Sequence, residues 1–241
     1  MRKWSTLRSA LAVVPVTFSS ACMLGLASVQ GSGNIITLQL DLSGFTEVSA
    51  SHGARVNVIP GDTHDVTVRI DDNLEDHIRV EVDGSRLEIG MASRISLGRT
   101  HYEVDVTMRD LDGVTASGGS RTNVSGFSID HPVEVSASGG ARVEDELSAA
   151  NLSLSTSGGS RTELRGDGAS VRISSSGGSR ANLSGFAAQD VEVSMSGGAR
   201  ADVMATSSLT GRVSGGASLV YDGSPGTVDV GRSGGGRVQS R

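Results

Sequence analysis

The sequence predicts an all-β fold: a parallel β-solenoid with coils of about 19 residues, preceded by a less regular β region. The first observation is a repeated turn, because Ser-Gly-Gly occurs seven times and successive first glycines lie 21, 19, 19, 20, 18 and 19 residues apart. The second is composition: aromatic residues make up only 3% of the chain and Gly contributes 33 residues. The core must therefore be built from Val, Leu, Ile, Ala and Thr, with the glycines in turns.

Residues 1–27 have the composition of an export signal. Three basic residues precede an apolar stretch that is too short and too interrupted for a membrane span. The small residues Gly25 and Ala27 predict cleavage after Ala27, and the sole cysteine, Cys22, offers lipidation as an alternative. A retained membrane anchor is a third alternative. We expect export to the periplasm, the outer membrane or the cell surface, with membrane contact only through the signal or a lipid.

The charge of the chain limits its partners. The formal net charge is −6, and removal of residues 1–27, which hold three basic and no acidic residues, makes it −9. An acidic protein of this kind is a poor candidate for binding nucleic acid. A single cysteine cannot form a disulfide within the chain, so stability must come from the stacking of strands.

A short lead at residues 28–44 precedes two β regions. Residues 45–112 are the less regular N-terminal part of the solenoid domain, and residues 113–241 are its regular Gly-Gly repeats. Alternating apolar and polar residues in the N-terminal part predict strands at 36–40, 66–70, 78–82 and 104–108. An imperfect first copy of the repeated turn occurs early, at residues 51–55.

Each regular coil is predicted to hold two strands joined by a second turn, with positive φ at Gly126, Gly166 and Gly185. Coils stack about 4.8 Å apart, and apolar residues before each glycine pair face inward. These are Val133, Val135, Leu152, Leu154, Val171, Ile173, Val191, Val193, Val228 and Val230. Asp145 falls in an inward position, and a bulge is predicted there that turns Asp145 outward and Leu147 inward.

A row of arginines is the most specific surface feature. Five turns continue as Gly-Gly-Ser/Ala-Arg, which places outward Arg121, Arg142, Arg161, Arg180 and Arg200. Stacking brings like charges about 5 Å apart, a repulsion of about 1 kcal/mol per neighbour in water. One interpretation is a ladder compensated by a neighbouring column of carboxylates from Glu144, Glu163 and Asp202. The other is a surface that binds an anionic polymer such as a glycan, extended by Arg165 and Arg172.

Metal and catalytic sites lack the required spacing. The Gly-Gly repeats carry Arg where a calcium-binding nonapeptide has Gly, and the histidines are dispersed, at His52, His64, His77, His101 and His131. No metal and no cofactor is predicted. As acid and base groups of a polysaccharide-active enzyme we consider His101, Tyr102, Glu103 and Asp105, of which alternation places Glu103 and Asp105 on one exposed strand face. Two solvated carboxylates are the more ordinary interpretation, and the chain is predicted not to be an enzyme.

Several segments of the chain form a recognisable set: Phe-Thr-Glu-Val at 45–48, Ala-Arg-Val-Asn-Val at 54–58, Asp-Asn-Leu at 72–74, the Ser-Gly-Gly repeats and residues 218–225. Together they resemble the GIN domain family of adhesin-like autotransporter head domains. The resemblance implies a right-handed β-helical or β-roll domain of exported bacterial proteins with no assigned enzymatic activity. Family members more often read Ser-Gly-Ser-Gly at the turns, so the arginine row is a departure from the family pattern.

These observations predict an exported, non-catalytic module of the cell envelope or surface that contacts glycans or other envelope polymers. Two alternatives stay open. One is the polysaccharide-active enzyme, and the other is a self-associating structural protein whose terminal coil pairs with a second copy through unpaired strand edges.

Overall fold

The computed structural model describes residues 28–92 and 96–241, which form eighteen β-strands and one short 3-10 helix at Asp72–His77. The strands are β1 (Ser28–Val29), β2 (Ile35–Leu40), β3 (Glu47–Ala50), β4 (Arg55–Pro60), β5 (Asp65–Asp71), β6 (Ile78–Asp83), β7 (Arg86–Met91), β8 (Ser96–Leu97), β9 (Tyr102–Met108), β10 (Gly113–Ala116), β11 (Arg121–Ala137), β12 (Arg142–Thr156), β13 (Arg161–Ser175), β14 (Arg180–Met195), β15 (Arg200–Val213), β16 (Ser218–Asp222), β17 (Thr227–Arg232) and β18 (Arg237–Ser240). Within these residues no helix is long and apolar enough to cross a bilayer. The predicted signal, with Cys22 and Ala27, lies outside the described residues.

The N-terminal strands combine antiparallel and parallel pairing. β2 and β9 flank β5 in antiparallel pairs, and β6 is antiparallel to β7. β4 is parallel to both β9 and β11, while β3 is parallel to both β7 and β10. The four alternating segments predicted from the sequence are confirmed as β2, β5, β6 and β9. The mixed region therefore closes one end of a stack whose remaining coils are parallel.

The Gly-Gly repeats form the predicted parallel solenoid. Strands β11 to β15 each pair in parallel with the next, and β16 to β18 continue the stack. A β-turn joins successive strands, as where the Ser120 amide donates to the Ser117 carbonyl at 3.0 Å. The first glycine of each turn has positive φ, 55° at Gly118 and 66° at Gly177, which only glycine adopts without strain.

The second turn predicted within each coil is wrong as a break between two strands. β11 to β15 run through this corner as single strands of 14 to 17 residues. Gly126 and Gly166 have the predicted positive φ, whereas Gly185 does not. The corner coincides with local irregularities in register, such as that between Ser125 and Phe127. β13 and β14 stay paired through it, whereas β12 and β13 have no register pairs between Glu146↔Arg165 and Asn151↔Ser170.

The core is a set of columns of aliphatic side chains inside the stack. Eight of the ten predicted inward residues are buried, and the exceptions are Val228 and Val230 in β17. Val228 is 46% exposed. β17 pairs with β15 on one side, and no strand among the described residues pairs with its other edge.

The position of Asp145 differs from the predicted one. No bulge turns it outward: its side chain is only 4% exposed, and both carboxylate oxygens lack a hydrogen-bond partner in the described structure. β12 keeps residue-by-residue register with both neighbours here, so Asp145 lies between Val124 and Leu164. Because side chains alternate along a strand, this register directs Asp145 into the core. Burial raises the pKa of its carboxyl group well above the ordinary value.

Candidate functional site: the arginine ladder

The predicted row of arginines is in register and is longer than the sequence repeats indicated. Arg55, Arg121, Arg142, Arg161, Arg180 and Arg200 are aligned across successive parallel strand pairs, and we call this row the arginine ladder. With strands about 4.8 Å apart, its length is about 24 Å. Ser218 takes the next position, so the row is interrupted before Arg237.

The glycine turns determine where the ladder lies. Each arginine opens its strand one residue after the turn, and its amide donates to the coil below, as from Arg180 to the Ser160 carbonyl at 2.9 Å. The turns stack directly: a Cβ at Gly177 would come within 3.1 Å of the Gly158 amide nitrogen. This close approach keeps the turns free of side chains, so the backbone beside the ladder is bare.

Most ladder arginines are unpaired. All are exposed except Arg142, which is half-buried. Among the described residues, Arg142 alone forms an ion pair, with its Nε 4.0 Å from a carboxylate oxygen of Glu144. The other five guanidinium groups contact no carboxylate and donate no hydrogen bond to described residues. The compensated ladder, one of the two interpretations of the sequence, is therefore wrong for most of the length of the row.

Two of the three carboxylates expected to compensate the ladder pair with arginines outside it. Glu163 accepts from Arg165 at 2.7 Å, and Asp202 accepts from Arg241 at 3.0 Å. Both carboxylates lie in the column next to the ladder, as predicted, in register with Asn123 and Asn182. Because each is already neutralised from its far side, the positive charge of the ladder stays available to an external anion.

Arg165 and Arg172 do not extend the ladder, contrary to expectation. Arg165 is the partner of Glu163, and Arg172 lies past the corner of β13, where its guanidinium pairs with Glu192 at 2.7 Å. Of the three arginines in β13, only Arg161 belongs to the ladder, and it has no ion pair among the described residues.

Glu103 and Asp105 were among the residues considered as the acid and base of an enzyme. They share a strand face, as expected, and they take part in an ion-pair network. Arg69 contacts Asp105 at 2.6 Å and Glu103 at 3.4 Å. Asn57 donates a further hydrogen bond to Asp105 at 2.8 Å. Neighbouring side chains therefore hold both carboxylates in a network of ion pairs and hydrogen bonds.

His52 and His101, which no spacing in the sequence connects, both line one cavity beside Arg55. Pairing of β4 with β9 brings the two segments together. One signal was present in the sequence: His52 occupies the place of the first glycine in the imperfect copy of the turn.

Sequence comparison places most of the chain within one family model. The model described as "Putative auto-transporter adhesin, head GIN domain" matches residues 44–225. Among curated proteins, none matches the sequence significantly.

Solved structures share the fold. A crystal structure described as a "putative adhesin" from Bacteroides fragilis is 20% identical, with a TM-score of 0.82, over 88% of this chain and 100% of its own. A "putative lipid binding protein" from Parabacteroides distasonis is 19% identical, with a TM-score of 0.69, over 89% of this chain and 100% of its own. A "putative adhesin" from Parabacteroides merdae is 19% identical, with a TM-score of 0.65, over 89% and 99%. At these identities the similarity shows the fold alone.

Proposed function

The chain belongs to the GIN domain family of auto-transporter adhesin head domains, and we propose that it is an exported, non-catalytic binding module. In this proposal the module contacts an acidic glycan or another anionic envelope polymer through the arginine ladder. The family is adhesin-like, and this suggests an exported or surface protein. We place the module in the periplasm, at the outer membrane or on the cell surface.

The observation that carries this proposal is the unpaired state of the ladder. Five exposed guanidinium groups have no carboxylate partner among the described residues, although acidic residues occupy the next column. Guanidinium groups bind carboxylate, sulfate and phosphate through paired hydrogen bonds. A polymer with anionic groups at regular intervals can engage several arginines at once, which multiplies weak contacts into useful affinity.

We expect the combined variant Arg142→Ser, Arg161→Ser and Arg180→Ser to lose retention on acidic polysaccharide. Each substitution removes a charge-assisted contact, so the dissociation constant should rise by about 100-fold or more. Retention on immobilised polygalacturonate, and on envelope polysaccharide purified from the producing cells, measures the effect.

A charge-matched control separates the ladder from general charge. The variant Arg172→Ser, Arg212→Ser and Arg232→Ser removes the same charge at exposed positions outside the ladder and should keep most of the retention. Circular dichroism should be unchanged in both variants, because the ladder side chains are largely exposed. Equal retention by the ladder variant and the parent, or equal loss in both variants, would contradict the proposal.

We also propose self-association through the last coil as a second function. β17 and β18 each pair on one side only, and Val228 in β17 is 46% exposed. Unpaired strand edges with exposed apolar residues are templates for pairing with another chain.

Sedimentation velocity should therefore show a concentration-dependent dimer of the parent, and Val228→Asp should remain monomeric. Ile59→Asp is the matched control, since Ile59 is 48% exposed but belongs to β4, which is paired on both sides. A parent protein that stays monomeric at high concentration would rule this function out.

A further inference from the structure

A cavity lies at the N-terminal end of the arginine ladder. Its volume is about 390 Å³, and its polar lining includes His52, Arg55, Thr100, His101 and Glu103. This volume falls within the range of about 300–1,000 Å³ that is usual for small-molecule sites. Arg55 belongs to both the ladder and the cavity, so a ligand lying along the ladder reaches the cavity at this residue.

The cavity contains a side chain placed at a conformational cost. His52 has a φ of 55° and is the one non-glycine residue with positive φ among those described. Its turn stacks beneath the next one, since a Cβ at Gly118 would lie 3.2 Å from the His52 amide nitrogen. Every later turn has glycine at the equivalent position. An unfavourable conformation kept at one turn alone points to a use for the imidazole there.

Hydrogen bonds orient the His52 imidazole. The Ser51 hydroxyl donates to the Ile89 carbonyl at 3.2 Å and lies 2.8 Å from Nδ1 of His52. The Nδ1 side of the ring is therefore engaged by Ser51. Nε2 has no hydrogen-bond partner among the described residues and is the ring nitrogen available to a ligand.

The charge of the residues in register changes from positive to negative at the cavity. The residue in register beyond Arg55 is Glu103, which lies 3.4 Å from Arg69 and 3.6 Å from Nε2 of His101. A polyanion can follow the arginines as far as Arg55, where the row of aligned arginines ends because Glu103 takes the next position in register. The run of cationic positions therefore ends at the cavity.

We propose that this cavity binds the terminal acidic sugar unit of the polymer. Arg55 contacts the acidic group, while His52, Thr100 and the Glu103 carboxylate bond the sugar hydroxyls, for which they offer donors and acceptors. The proposal rests on the function assigned to the ladder, and it adds that the protein recognises a chain end and not only a repeated anion.

Binding of free sugars to the folded parent protein tests this directly. The probes are D-galacturonate, D-glucuronate and N-acetylneuraminate, with D-galactose and D-glucose as neutral controls, followed by NMR titration. We expect at least one acidic sugar to bind the parent about tenfold more tightly than the neutral sugars. His52→Gly should weaken that binding by about fivefold or more. The substitution restores the usual turn residue, so the thermal midpoint should not fall.

The ladder variants distinguish this proposal from the function on which it rests. The combined Arg142, Arg161 and Arg180 variant should bind the single sugar as the parent does and lose polygalacturonate, because none of the three lines the cavity. The cavity proposal is overturned if no acidic sugar binds preferentially, or if His52→Gly binds as the parent does. If the sugar binds through His52 while the ladder variant retains polygalacturonate, the ladder function fails and the cavity stands.

Discussion

Asp145→Val is expected to stabilise the protein by about 3 kcal/mol, a rise in thermal midpoint of about 10 °C. The native side chain is a buried carboxyl group whose two oxygens have no partner in the described structure. Valine removes this unsatisfied group and adds apolar contact with Val124 and Leu164 on the neighbouring coils. Valine is also closer to aspartate in size than leucine, which limits overpacking.

The same substitution should change how stability depends on pH. Burial raises the pKa of Asp145 above the ordinary 3.8, so the folded state keeps a proton that the unfolded state releases. Because the unfolded state then binds fewer protons, stability falls as pH rises from 3.8 toward the folded-state pKa. Asp145→Asn cannot titrate, and its stability relative to the parent should therefore increase over this interval.

Urea unfolding at several pH values measures both effects. Glu146→Val, an exposed neighbour on the same strand, is the control and should change stability by about 0.5 kcal/mol or less. If the parent and Asp145→Asn differ by a constant amount across pH, the carboxyl group does not titrate as inferred.

Gly166→Ala is expected to destabilise the protein by about 3–5 kcal/mol, which lowers the thermal midpoint by about 10 °C. Gly166 has a φ of 131°, and a Cβ there would lie 1.9 Å from the carbonyl oxygen of Leu147. The added Cβ is fixed directly to the backbone of one coil, and the Leu147 oxygen belongs to the backbone of the adjacent coil. The clash therefore cannot be relieved by rotating a side chain. Relief requires the coils to separate at the corner.

Gly159→Ala is the matched control for this effect. Gly159 belongs to the turn that precedes β13, has no positive φ, and offers open space to an added Cβ. Its substitution should change stability by about 0.5 kcal/mol or less. Thermal unfolding of both variants gives the comparison, and similar midpoints for the two would show that the corner tolerates a side chain.

The ladder shows how far pattern alone predicts a surface. Its register followed from the constant distance between each glycine pair and the next arginine, because equal coils align equal positions. The ion-pair partners of the carboxylates beside the ladder could not be predicted from this spacing. Arg241, which neutralises Asp202, is separated from it by two coils along the chain, and no local spacing connects the two residues.

Two predictions about the interior of each coil were wrong for a similar reason. The second turn was predicted as a break because glycine commonly ends a strand, but each strand instead continues through the corner, where β13 and β14 stay paired. Asp145 was expected to turn outward because burying a carboxyl group is costly. The register of β12 with β11 and β13 outweighs that cost, since moving one residue outward would disrupt pairing on both sides.

The sequence by itself determined the fold class, the coil size and the outward column of arginines. These depend on a two-residue alternation and a nearly constant repeat, both of which are local along the chain. Only the tertiary structure decided which charges pair, where Asp145 lies, and that His52 and His101 meet beside Arg55. The physical reason is that side-chain pairing and burial depend on residues from different coils, whose contacts exist only after the coils have stacked.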